Sequence, residues 1–141
     1  MLSKPVNGWT NVTLGGMVLD ASYVYDIPFC WLRACKHSLK YDLPLSLYAD
    51  LEVSKAYITS YFARTHIIIE DGGYRLFVIE KINFTDIARM LIDDISACLD
   101  DWAEWYAMED SEEDHERRKR ELLQLLNETE AALAAYLSDK A

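Results

Sequence analysis

Beyond Gly73 the chain has neither glycine nor proline; its five glycines and three prolines all lie in the first 73 residues. The absence of both breakers from 74–141 excludes a second half built of tight turns. It predicts one strand followed by long helices. Cysteine is scarce too. Cys30, Cys35 and Cys98 make an odd number, with no CxxC spacing. That favours reduced thiols over a disulfide framework.

Long apolar runs are missing. The strongest, Thr65 to Ile69, is far short of the ~20 residues a membrane helix needs. The opening Met1-Leu2-Ser3-Lys4-Pro5 has no apolar signal core, so a cytoplasmic location is expected. On that expectation the Asn-x-Thr triplets at Asn11, Asn83 and Asn127 are chance matches. No GxGxxG, P-loop or nucleophile elbow occurs.

Positive charge is in short supply. Fourteen Lys and Arg stand against 24 Asp and Glu, a net −10 with pI near 4.6. Such a chain is repelled by phosphate backbones and anionic bilayers, which argues against direct nucleic-acid or membrane partners. The deficit is local. Between Asp86 and Glu116 twelve carboxylates accompany a single base, Arg89, while the remainder is close to neutral.

What is present is apolar and aromatic. At 51% hydrophobic and 12% aromatic, the chain can bury a core. Trp9–Leu14 and Met17–Tyr25 are β-rich and joined by Gly15-Gly16, a strong hairpin signal. Asp26-Ile27-Pro28 reads as a helix start, and Leu43-Pro44 as its end. Leu45–Asp50, Lys55–Tyr61, Thr65–Glu70 and Tyr74–Ile82 read as strands. Asp71-Gly72-Gly73 forms a second hairpin turn, and the join from Tyr61 to Thr65 is either a turn or a bulge. Asn83 or Thr85 caps a helix running to about Met108, and Ser111 with Asp114 opens a last one. In that last helix Glu113–Arg117, Asp114–Arg118 and Glu116–Arg120 stand at i,i+4. The fold class predicted is α+β. An antiparallel sheet of about five to six strands has one helix inserted after the first hairpin and two C-terminal helices. Residues 1–110 form the core domain, ending in an acidic amphipathic helix. Residues 111–141 form a C-terminal helix packed on that core or on a partner subunit.

The helix from Asn83 carries the clearest functional pattern. At 100° per residue Ile87, Leu91, Ile95, Cys98, Trp102 and Trp105 share one side. Asp86, Asp93, Asp94, Asp100, Asp101 and Glu104 share the other, without i,i+4 cations along most of its length. Asp93 and Asp100, seven residues apart, are expected ~10.5 Å apart on one rod. Trp105 and Tyr106 lie at the edges of the arc and are the aromatic surface candidates, a type enriched at interface hot spots. The bland alternative is a solvated face that keeps the chain soluble. The sharper reading is a docking face for a basic protein, such as a nuclease or another nucleic-acid-handling protein. Acidic immunity and phage anti-defence proteins act so as a class, and the likeness is one of charge and size alone.

The acids form no alternating oxygen loop around a glycine, so no metal site is predicted. No cofactor is predicted. Pairing of Cys30 or Cys35 with His37 or His66 is the one conceivable nucleophilic arrangement, but Cys35 falls on an apolar stripe, so no catalytic site is predicted. The leucines of the last helix, Leu122, Leu125, Leu126 and Leu133, pack either on their own domain or across a homodimer seam within residues 111–138. A structural or assembly subunit joined there is the alternative to the docking module.

Overall fold

The computed structural model describes residues 1–105 and 112–141, with the backbone alone at 112 and 113. The fold is α+β. In chain order it runs β1 (Trp9–Leu14), β2 (Met17–Ser22), α1 (Ile27–Tyr41), β3 (Leu45–Asp50), β4 (Lys55–Tyr61), β5 (Arg64–Glu70), β6 (Tyr74–Glu80), α2 (Phe84–Ala97), α3 (Leu99–Ala103) and α4 (Glu112–Lys140). All strand pairings are antiparallel. The six strands divide into a two-stranded sheet and a meander of order β3-β4-β5-β6.

Local chemistry sets the turns. Gly15 and Gly16 take φ +56° and +85°, the left-handed region that a two-residue hairpin loop requires. The Tyr61–Thr65 join is a two-residue turn rather than a bulge: Tyr61 pairs with Arg64, and Phe62 takes φ +54°. β2 stops at Ser22, short of the predicted Tyr25. β6 ends at Glu80 because Lys81 turns to φ +68°. α1 closes on Asp42 in the left-handed conformation, with the Asp42 and Leu43 N–H groups both donating to the Ser38 carbonyl.

The meander alternates cleanly. Leu45, Leu47, Ala49, Ala56, Ile58, Ile67 and Ile69 face inward. There they join one core with Trp31, Leu32 and Cys35 of α1, Ile87, Leu91 and Ile95 of α2, and Leu122, Leu125, Leu126 and Leu133 of α4. The leucine stripe of α4 is therefore occupied within the chain, packed against α1 and α2. The exposed leucines of α4 are Leu123 and Leu137. In α4 Arg117 bridges Asp114 at i,i+3, 2.9 Å. Glu113 of the predicted Glu113–Arg117 pair has only its backbone described, and the predicted cap Ser111 lies outside the described residues.

Candidate protein-docking face

The acidic face begins at a capped helix end. Asn83 Oδ1 accepts from the N–H groups of Thr85 and Asp86 at 3.0 and 3.1 Å, and the Asp86 carboxylate accepts from the Asn83 N–H at 3.0 Å. This reciprocal pair satisfies donors that the first turn leaves open. Asp86 is thus a capping residue at the positive end of the helix dipole.

The expected single rod does not form. α2 stops at Ala97, Cys98 turns to φ −132° and ψ 45°, and α3 restarts at Leu99. α3 ends at Ala103 with Glu104 at its C-cap, and the predicted helix end at Met108 lies outside the described residues. The simple seven-residue stacking of Asp93 under Asp100 therefore does not hold across the break.

The expectation that these acids lack internal cations is also corrected. Asp94 accepts from the N-terminal ammonium at 2.9 Å and from the Leu2 N–H at 2.8 Å, and its side chain is 29% exposed. Asp100 holds Lys119 Nζ at 2.7 Å, with His115 Nε2 4.0 Å away. Asp93 lies 3.8 Å from Arg89, whose shorter contact is with Glu130 at 2.8 Å. Asp101 lies 3.8 Å from Lys4, and Glu104 3.6 Å from His115 Nδ1. Apart from Arg89, which stands at i,i+4 to Asp93 within α2, these partners come from the N-terminal segment and α4, so helical spacing could not reveal them. Five of the pairs are nonetheless on the surface, and the side chains of Asp93, Asp100 and Glu104 remain 64%, 71% and 68% exposed.

Trp105 is not a surface residue. It is buried, its Nε1 donates to the Tyr25 carbonyl at 2.9 Å, and its ring lies 5.2 Å from that of Trp102. A polar partner for the indole N–H offsets the cost of burial and pins α3 to the start of α1. Tyr106 lies outside the described residues.

The residues weighed for nucleophilic chemistry are not gathered. Cys35 is buried in the core, and burial pushes its thiol up to about 12, so it stays protonated near neutrality. His37 is exposed on the other side of α1, in a shallow groove with Arg33, Lys36 and Lys40. His66 is on the outer face of the meander, between Thr59 and Val78. Among the described residues no cluster of three or more His, Cys, Asp or Glu is arranged to hold a metal ion.

Two features escape helical counting. One is Arg118, which binds Asp26 at 3.1 and 3.2 Å and the Ala103 carbonyl at 2.9 Å. The other is the open edge of β6, whose only sequence signal is apolar residues on both faces of 74–79. Comparison with protein-family models, with curated proteins and with solved structures finds no match to this chain.

Proposed function

We propose that the chain is a non-enzymatic protein-binding module, an inhibitor of the immunity or anti-defence kind. It docks the α2–α3 face into a basic cleft of a nucleic-acid-handling protein. The observation that carries this reading is the exposure of Asp93, Asp100 and Glu104. Surface ion pairs are worth ~0–1 kcal/mol each, so the internal cations are readily exchanged for a partner's arginines. An arginine fork gains two charge-assisted hydrogen bonds where Arg89 or His115 now sits 3.6–3.8 Å away. Asp94 is set apart from this role, because it holds the N-terminus. A face of this sign steers a cationic partner at long range and loses that advantage in salt.

The test compares the wild type with a variant carrying Asp93→Asn, Asp100→Asn, Asp101→Asn and Glu104→Gln. Each is immobilised and exposed to lysate of the source organism, and retained proteins are identified by mass spectrometry. Capture of a basic nucleic-acid-handling protein is expected with the wild type, with release at ~0.5 M salt and loss in the variant. Equal capture by both, or a retained set without such a protein, overturns the reading.

A further inference from the structure

The outer edges of β1 and β3 are covered in this fold, and that of β6 is not. β1 is covered by the N-terminal segment: Thr13 N–H donates to Met1 O at 2.8 Å, Ser3 N–H to Asn11 O at 3.0 Å, and Val6 and Trp9 exchange bonds of 2.9 and 3.0 Å. β3 is closed by α1, whose Trp31 Nε1 donates to Tyr48 O at 2.7 Å. β2, whose outer edge pairs with no described residue either, carries the net charge of Asp20. The outer edge of β6 pairs with no described residue.

Two hydrogen bonds fix the phase of that edge. Lys81 N–H donates to Ala63 O at 2.8 Å, and Asp71 N–H to Gly73 O at 3.1 Å. Both continue the β5–β6 register, in which Arg64 opposes Glu80. Hydrogen-bonded and non-hydrogen-bonded pairs alternate along an antiparallel ladder. The backbones of Arg75, Phe77 and Ile79 therefore turn toward β5. Those of Tyr74, Leu76, Val78 and Glu80 turn outward, four donors and four acceptors in a row.

β6 lacks the proline, bulge and net charge that guard many strand edges, since its two charges, Arg75 and Glu80, cancel. The side chains beside the outward groups are open as well, with Tyr74 76%, Leu76 61% and Val78 51% exposed. An unguarded, apolar, neutral edge is a template for another strand.

We infer that this edge pairs with β6 of a second copy of the chain, antiparallel about a two-fold axis at Phe77. The four outward residues are symmetric about Phe77, so one register satisfies them all. Leu76 then faces Val78 of the second copy, and Tyr74 faces Glu80. Charge selects the same place. Two chains of −10 repel, but residues 45–81, which hold the meander, carry four bases against five acids. The meander is thus the near-neutral side of an acidic molecule, where a second copy meets least repulsion. The two meanders become one eight-stranded sheet, joined by an isologous contact that closes on itself.

The experiment is sedimentation of the full chain over a concentration series, paired with residue-resolved amide exchange. The wild type is expected to dimerise by ~100 μM, a weak affinity of the kind small transient interfaces show. The Leu76 and Val78 amides gain protection with concentration, while those of Phe77 and Ile79 are protected throughout. Val78→Pro removes an outward N–H without touching the ladder to β5. Leu76→Lys places a charge on the edge and guards against a misfolded proline variant. Each is expected to weaken the dimer by at least ~100-fold. A wild type that stays monomeric to ~1 mM overturns the inference. So does a dimer that both variants leave intact, or one in which the Leu76 and Val78 amides exchange as in the monomer.

Discussion

Arg118 grips both carboxylate oxygens of Asp26, at 3.2 and 3.1 Å, across 92 residues of sequence. The same guanidinium donates to the Ala103 carbonyl at 2.9 Å and lies over the Phe29 ring, 4.6 Å from its centre. One side chain thus ties α4 to the start of α1 and the end of α3. Asp26 sits at the N-cap of α1 but makes no side-chain cap bond, because its carboxylate is turned to Arg118. Charge-assisted hydrogen bonds contribute ~1.5–3 kcal/mol each, more than a cap contributes. Arg118→Ala is therefore expected to cost ~2–3 kcal/mol. Arg118→Lys restores less than half of that, since an ammonium cannot make the fork. Urea unfolding at constant m-value reads both. A loss below ~0.5 kcal/mol for the alanine variant removes the tie as a source of stability.

That pair also shows where sequence reading stops. The positions of the six strands, the Gly15-Gly16 turn, the Asn83 cap and the apolar stripes of α2 and α4 are local patterns, and they were legible. Arg118 reads as one of four bases beside acids of its own helix, and nothing local points it to Asp26. The acidic arc suffers the same blindness. Its positions follow from 100° steps, but its partners Lys4, Lys119 and the N-terminus arrive from distant elements. Trp105 lies at the edge of the arc by angle and is buried in fact, because the break at Cys98 re-aims α3 toward Tyr25.

The docking of α4 is expected to fail at both ends of the pH scale. Three carboxylates that tie it down are held below their usual range: Asp42 by hydrogen bonds from Lys140 and Tyr136, Asp100 by Lys119, and Glu128 by Lys36 and Gln124. A depressed carboxylate stabilises the fold above its unfolded pKa, and that contribution fades as pH falls through the folded value. Tyr136 runs the other way. Burial, with its hydrogen bond to Asp42, pushes it from 10.0 up to about 12, so its contribution is intact below 10.0 and is lost as pH rises toward 12. Asp42→Asn keeps a residue that tolerates the left-handed φ of +52° while deleting the charge. Melting temperatures recorded from about pH 2.5 to 11.5 should fall less steeply at both ends in this variant. Parallel profiles for variant and wild type rule out Asp42 as the joint.

The hairpin of β1 and β2 rests its turn on β6, and two neighbouring glycines separate that contact from simple backbone strain. Gly15 and Gly16 both have positive φ, so alanine at either costs ~1–2 kcal/mol for the left-handed conformation. A Cβ on Gly16 meets nothing within 4 Å, whereas one on Gly15 falls 2.6 Å from Ile79 Cγ2. Gly15→Ala is therefore expected to cost a further ~1–3 kcal/mol from overpacking. Ile79→Ala in the same chain removes the obstructing atoms, so the double variant should recover at least ~0.5 kcal/mol relative to the sum of the single changes. Chemical unfolding of the four variants completes the cycle. Equal costs at Gly15 and Gly16, with additive effects at Ile79, mean that the turn does not sit on β6. In that case the hairpin is held through its core side chains, Val12, Leu14 and Ala21 with Met17 and Leu19 beside them.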